Sequence, residues 1–166
     1  MKLKSRNRPI EAPAWRHIFM NSDFCVAVHA FVYLNHHGGK TCSSKELATN
    51  ICTNPARVRK ILAMFKNCEF ITTIESGPGG GYQFSGDPDK ITLSDIASIM
   101  KIDFVEPGWR SGDTDMDCLI ASGMGNLMDG IFSDLNKDCY SKLSDISVSD
   151  IEHIIFGTTK KAGGKS

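Results

Sequence analysis

The residues of this chain most able to do chemistry are six cysteines, a His36-His37 pair, a glycine run at 77–81 and one cluster of arginine and lysine. Each needs a particular arrangement to act. A metal centre needs several thiolates or imidazoles at short spacing, yet Cys25, Cys42, Cys52, Cys68, Cys118 and Cys139 form no CxxC and no zinc-type Cys/His group. No Gly-Lys-Ser/Thr completes a phosphate loop at Gly77–Gly81, and Tyr82 breaks the dinucleotide pattern. His36-His37 precedes Gly38-Gly39, so it reads as a helix C-terminus, where an imidazole suits the dipole, and not as a metal pair. No nucleophile, base and orienting group stand at motif spacing, so an enzyme is not expected. The cationic set remains: Arg57, Arg59 and Lys60 directly behind Asn54-Pro55, with Lys45 and Lys66 to either side. Arginine suits bidentate readout of guanine, and lysine suits phosphate, which positions a protein without specifying sequence.

The elements that must position this set follow from periodicity. Phe24, Val28, Phe31, Val32 and Leu34 recur at helical spacing until His37-Gly38-Gly39. Ser43-Ser44-Lys45-Glu46 has the form of a capping box and opens a short helix through Asn50. Asn54-Pro55 opens the next, with Asn as N-cap and Pro at the first position, where its missing N–H costs nothing. Val58, Ile61, Leu62 and Phe65 share one face of that helix, and Arg57, Arg59, Lys60 and Lys66 largely occupy the rest. Phe70–Glu75 reads as a β-strand, Ser76–Gly81 must turn, and Tyr82-Gln83-Phe84 returns. Helix, turn, helix and a two-stranded wing form a winged helix-turn-helix, whose second paired helix enters the major groove. The expected DNA-facing residues are Ser44, Lys45, Asn54, Pro55, Ala56, Arg57, Arg59 and Lys60, with Gly77, Gly79, Gly80 and Tyr82 of the wing. Arg57 and Arg59 are the candidates for reading bases.

Thr92-Leu93-Ser94-Asp95 starts a further helix to about Lys101, and 106–115 is a loop rich in Gly and charge. Over 116–143 Ile120, Met124, Leu127, Ile131 and Leu135 are spaced 4, 3, 4 and 4, a seam that a partner helix can cover. Gly123, Gly125 and Gly130 inside it mark either close approach or a break. Ser147–Phe156 is a last short helix. The expected fold is therefore mainly α with a small β-wing, a winged helix-turn-helix joined to a long dimerisation helix. Its divisions are a flexible basic arm (1–19), a DNA-binding domain (20–101), a dimerising part (102–156) and a disordered tail (157–166).

The formal charge is zero, but residues 1–75 are net +6 and residues 76–166 net −6. Such segregation suits a polyanion on the front half. No apolar run approaches the length of a membrane span, and the basic first residues lack the apolar stretch of a signal peptide. A cytoplasmic protein with reduced thiols is the expectation.

The chain resembles the Rrf-two family of bacterial winged helix-turn-helix regulators, the group of IscR, NsrR and CymR. The segments that carry the likeness are Val26–Ala30, Ser43–Ala48, Arg59–Leu62, Gly77–Tyr82 and Ile91–Ile96, in that order and at these spacings. The resemblance implies a homodimeric regulator, often a repressor, on a palindromic promoter site in double-stranded DNA, with a small-molecule or protein effector. Two positions depart from the pattern. Ser76 stands where the family usually has a basic residue before the wing glycines, and Arg57 stands where Tyr is common, so the recognition helix is expected to compensate for the wing. Iron–sulfur members carry three cysteines before the long helix. Here 102–117 has none and Cys118 stands alone, so no cofactor of that type is expected. Cys118 is a candidate redox switch by its place at a helix N-terminus, against which Asp113, Asp115 and Asp117 favour an inert thiol. A second reading, favoured by Ser76, is a protein-interaction module whose winged fold binds a partner protein or effector instead of DNA.

Overall fold

The computed structural model describes residues 15–74 and 79–157, and of residues 15–21 only the helical backbone. The flexible arm expected over 1–14, the turn residues 75–78 and the tail 158–166 lie outside the described residues. Six helices and one hairpin follow in order: α1 (Trp15–His36), α2 (Ser44–Ile51), α3 (Pro55–Ala63), β1 (Ile71–Ile74), β2 (Gly81–Phe84), α4 (Leu93–Met100), α5 (Leu119–Ser144) and α6 (Val148–Phe156). This is the mainly helical, winged architecture with a long C-terminal helix that the periodicity predicts. Helix α1 begins earlier than expected and takes 15–19 of the arm into its first turns. Pro13 is the last residue before it that opposes a helix, and none follows until Gly38.

Local chemistry sets the helix ends. The Ser43 side chain accepts from the Glu46 N–H, and Asn54 Oδ1 accepts from the Arg57 N–H at 2.8 Å. Thr92 with Asp95 and Ser147 with Asp150 form complete capping boxes. The box expected at Ser43–Glu46 is only half made. Glu46 instead accepts from Lys40 Nζ at 2.8 Å and from Tyr33 Oη at 3.2 Å. Two charge-assisted or neutral donors from outside the helix replace the single backbone N–H, and Lys40 pulls the Glu46 carboxyl below its ordinary pKa.

The core forms where α1 passes under α2, α3, the hairpin and α4. Ala27, Ala30, Phe31 and Leu34 of α1, Leu47 of α2, Val58, Ile61, Leu62 and Phe65 around α3, and Ile96 of α4 are all but completely buried. The C-terminal segment joins the same core, with Val148 fully buried, Thr92 and Ser147 bridged, and Tyr140 Oη donating to Ile102 O at 2.7 Å. The hydrophobic core thus runs across residue 101 without interruption.

Strands β1 and β2 pair antiparallel, Ile71 opposite Phe84 and Ile74 opposite Gly81. A third contact holds them to the body: Cys42 N donates to Tyr82 O at 2.8 Å, and Tyr82 N donates to Cys42 O at 2.9 Å. A Cβ on Gly81 would collide with the Cys42 carbonyl, so this glycine exists for a backbone contact within the protein. Gly79, by contrast, faces open space.

Helix α5 is continuous through Gly123, Gly125 and Gly130. Gly125 is a site of close approach, because a Cβ there would meet the Arg110 guanidinium and Ser111 O. Gly123 and Gly130 face open space. In urea unfolding, Gly81→Ala should cost about 1–3 kcal/mol through overpacking, whereas Gly79→Ala should stay within about 0.5 kcal/mol of wild type. Equal effects of the two would show that the hairpin does not depend on the Cys42 contact.

Candidate nucleic-acid interface

Asn54 caps α3 and Pro55 opens it, and the helix presents its apolar residues inward and Ala56, Arg59 and Lys60 to solvent. The first helix of the pair places Ser44 at its opening, with exposed Lys45 next to it. Arg59 Nη1 donates to Ser44 Oγ at 3.1 Å, so the N-terminal end of α2 is joined to the middle of α3. The positive Arg59 side chain also acts on Tyr82. Burial pushes the Tyr82 hydroxyl up, and Arg59 opposes that shift. Arg59 thus bonds to the α2 N-terminus, and its charge reaches the hairpin. Asn54, Ala56 and Lys60 are exposed along α3, and Pro55 is half-buried. Gly79 and Gly80 directly precede β2, and Gly77 lies outside the described residues.

Arg57 differs from what its sequence position suggests. Its Nε donates to Asp23 Oδ1 at 2.7 Å, its Nη2 approaches the same oxygen at 2.6 Å, and Nη2 donates to Ser22 Oγ at 2.5 Å. Both charged side chains are about three-quarters covered, at 29% and 27% exposure. The side chain thus runs back onto α1 while Arg59 points out. Nothing local in the sequence signals Ser22 and Asp23 as its partners, because they lie 35 and 34 residues away. The one clue is that Asp23 is the single acidic residue between Trp15 and Lys45.

The stripe on α5 is open. Ile120 is 71% exposed, Leu127 60%, Ile131 43% and Leu135 42%, with Met124 half-buried beside them. Leu119, at 87%, extends it. A second apolar surface lies where α1 and α6 flank a groove of ≈ 550 Å³ lined by Phe24, Val28, Val32, Ile151, Ile155 and Phe156. At its end His36 Nδ1 meets Glu152 Oε1 at 2.9 Å, and Asn35 hydrogen-bonds to the same carboxylate. His37 takes the capping place expected of the pair, its Nδ1 bonding to Tyr33 O at 2.9 Å.

Cys118 is the exposed N-cap of α5, with no side-chain hydrogen bond of the capping type. The backbone N–H groups of Ala121 and Ile120 lower its thiol pKa below the ordinary value. Cys139 lies toward the far end of the same helix, and the remaining cysteines stand elsewhere in the chain. Among the described residues no group of three or more His, Cys, Asp or Glu side chains is placed to hold a metal ion.

Comparison with known proteins agrees with this architecture. The family model Rrf2, described as an iron-dependent transcriptional regulator, matches residues 20–153. The HTH-type transcriptional regulator of Bacillus subtilis classed as YwnA is 22% identical over 138 residues, covering 82% of this chain and 99% of its own. A transcriptional regulator structure from Lactobacillus plantarum superposes with a TM-score of 0.70 at 23% identity, over 81% of this chain and 89% of that one. The structure of CymR (YrzC), the global cysteine regulator of B. subtilis, gives a TM-score of 0.58 at 17% identity, over 80% and 95% of the two chains. Among the described residues Cys118 belongs to no cluster of ligating side chains, so these residues do not fit an iron–sulfur centre held through it.

Alkylation by iodoacetamide, followed by peptide mass spectrometry, should show Cys118 reaching half-maximal rate at a lower pH in the folded chain than in urea, because the backbone donors of the folded chain favour the thiolate. A folded midpoint at or above the unfolded one would contradict the role of the two backbone donors.

Proposed function

The chain belongs to the Rrf2 family of transcriptional regulators, and from that premise we propose that it acts as a homodimeric repressor on a palindromic site in duplex DNA. It is a regulator and not an enzyme, as its family and relatives are. The observation that carries the DNA reading is that Arg59 stands exposed on α3 and bonds to Ser44 at the start of α2, while both helices and the hairpin pack on one core. The exposed charges of Arg59, Lys60 and Lys45 support the same reading. In this reading Arg59 reads base edges from the N-terminal part of α3, Lys45 and Lys60 meet phosphates, and the hairpin reaches the flanking backbone. Residues 20–101 supply the DNA-binding part and residues 102–156 the dimerising part, although both share one core.

Dimerisation is supported by two apolar surfaces that one chain leaves uncovered: the α5 stripe, and the α1–α6 face with its exposed Ile154, Ile155 and Phe156. A second copy related by a two-fold axis covers such surfaces reciprocally. Contiguous apolar area of this extent is rarely left open on a monomer. No helix among the described residues is long and apolar enough to cross a membrane.

Footprinting on the DNA upstream of the chain's own gene, with and without oxidant, tests the site and any thiol effector together. Arg59→Ala should cost about 1–3 kcal/mol on the footprinted site and relax its specificity, and Lys45→Ala should weaken all sequences alike. Equal losses on that site and on random duplex for Arg59→Ala would remove base readout. Deleting the gene should raise transcription from the footprinted promoter, and a fall would make the protein an activator. Leu127→Asp should give a folded monomer in sedimentation equilibrium, and a persisting dimer would exclude the α5 stripe from the interface.

A further inference from the structure

The two arginines of α3 differ in what surrounds them. The Arg59 guanidinium meets a neutral hydroxyl, Ser44 Oγ at 3.1 Å, and is otherwise exposed. That single neutral contact leaves its charge and most of its donors available. The Arg57 guanidinium meets a carboxylate oxygen twice, through Nε at 2.7 Å and Nη2 at 2.6 Å, and a hydroxyl through Nη2 at 2.5 Å. Ionised pairs of this kind are shorter and stronger than neutral hydrogen bonds, and partial burial reduces competition from water. Arg57 is the third residue of α3, next to exposed Ala56 and two positions before exposed Arg59, and its side-chain direction sets where its charge lies. Asp23 sets the direction.

We propose that Asp23 is a specificity-determining residue: it holds Arg57 against α1, withholds that cation from nucleic acid, and leaves Arg59 as the arginine that reads bases. The proposal rests on the DNA-binding reading above. Two physical consequences follow. An arginine released at this position would add an unselective phosphate contact, which raises affinity for every sequence and lowers the ratio between right and wrong sites. The pair also fastens the start of α3 to α1, since both partners of Arg57, Ser22 and Asp23, belong to α1. The clamp thus keeps the sequence-independent part of binding low and ties the orientation of α3 to α1.

The test is a salt titration of binding by the full chain, on the footprinted site and on random duplex. Asp23→Asn keeps the shape and one acceptor oxygen but removes the charge. It should steepen the slope of log K against log salt by about one per protomer, tighten random duplex about tenfold at low salt, and reduce discrimination. Arg57→Met should leave the wild-type slope unchanged, and Asp23→Asn/Arg57→Met should return the slope to that of wild type. Because Arg57→Met keeps a long apolar stem on α1, it decides the matter even if Asp23→Asn folds poorly. A slope that falls by about one in Arg57→Met would show that Arg57 already contacts DNA and overturn the proposal. An unchanged slope in Asp23→Asn with a lowered Tm would reduce the pair to a structural ion pair and overturn it equally. Wild-type protein that binds no duplex would remove the DNA reading itself, a result distinct from either.

Discussion

The geometry of this molecule depends on the packing around Phe31. Its ring is fully buried on α1 and meets Phe65 edge-on at 4.9 Å, just beyond α3, and Phe70 and Phe84 at 6.2 and 6.3 Å on the two arms of the hairpin. One side chain thus touches the segment that follows α3 and both sides of the hairpin. Perpendicular ring contacts are directional, and burial of several aromatic rings supplies much of the local stabilisation. The relation between α3 and the hairpin is therefore a property of the core. The candidate interface needs that relation, since it is drawn from α2, α3 and the hairpin together.

A second set of contacts shapes the C-terminal half. The segment between α4 and α5 folds back on α5: Asn136 accepts from the N–H groups of Phe104 and Val105 and donates to Val105 O. Arg110 reaches Asp129 and Asn126, and Asp113 N donates to Ala121 O. Gly112, at φ +79°, and Gly125 are the points where this fold-back touches helix backbone. The segment covers one side of α5 and leaves the Leu119–Leu135 stripe open on another. The division of α5 into a strapped side and a bare side is what gives the proposed dimer a defined surface.

Much of this was legible from local chemistry. Asn54-Pro55, Thr92 with Asp95 and Ser147 with Asp150 announce helix starts because a side-chain acceptor three residues before an amide is a local geometry. The spacing of Val58, Ile61, Leu62 and Phe65 announces the buried face for the same reason. Where local signals misled, a distant group had intervened. Glu46 completes a sequence box but is drawn to Lys40 and Tyr33.

The sequence by itself determined the order of elements, their caps, the faces they bury and the family to which the pattern points, because each of these depends on residues within about one or two helical turns. Tertiary structure alone decided how the charges are used. Arg57 and Arg59 are the same residue type two positions apart on one helix, and no spacing rule separates them. Their partners come from α1 and α2, 34 and 15 residues away in the chain. Only the packing of those helices puts a carboxylate beside one guanidinium and a neutral hydroxyl beside the other.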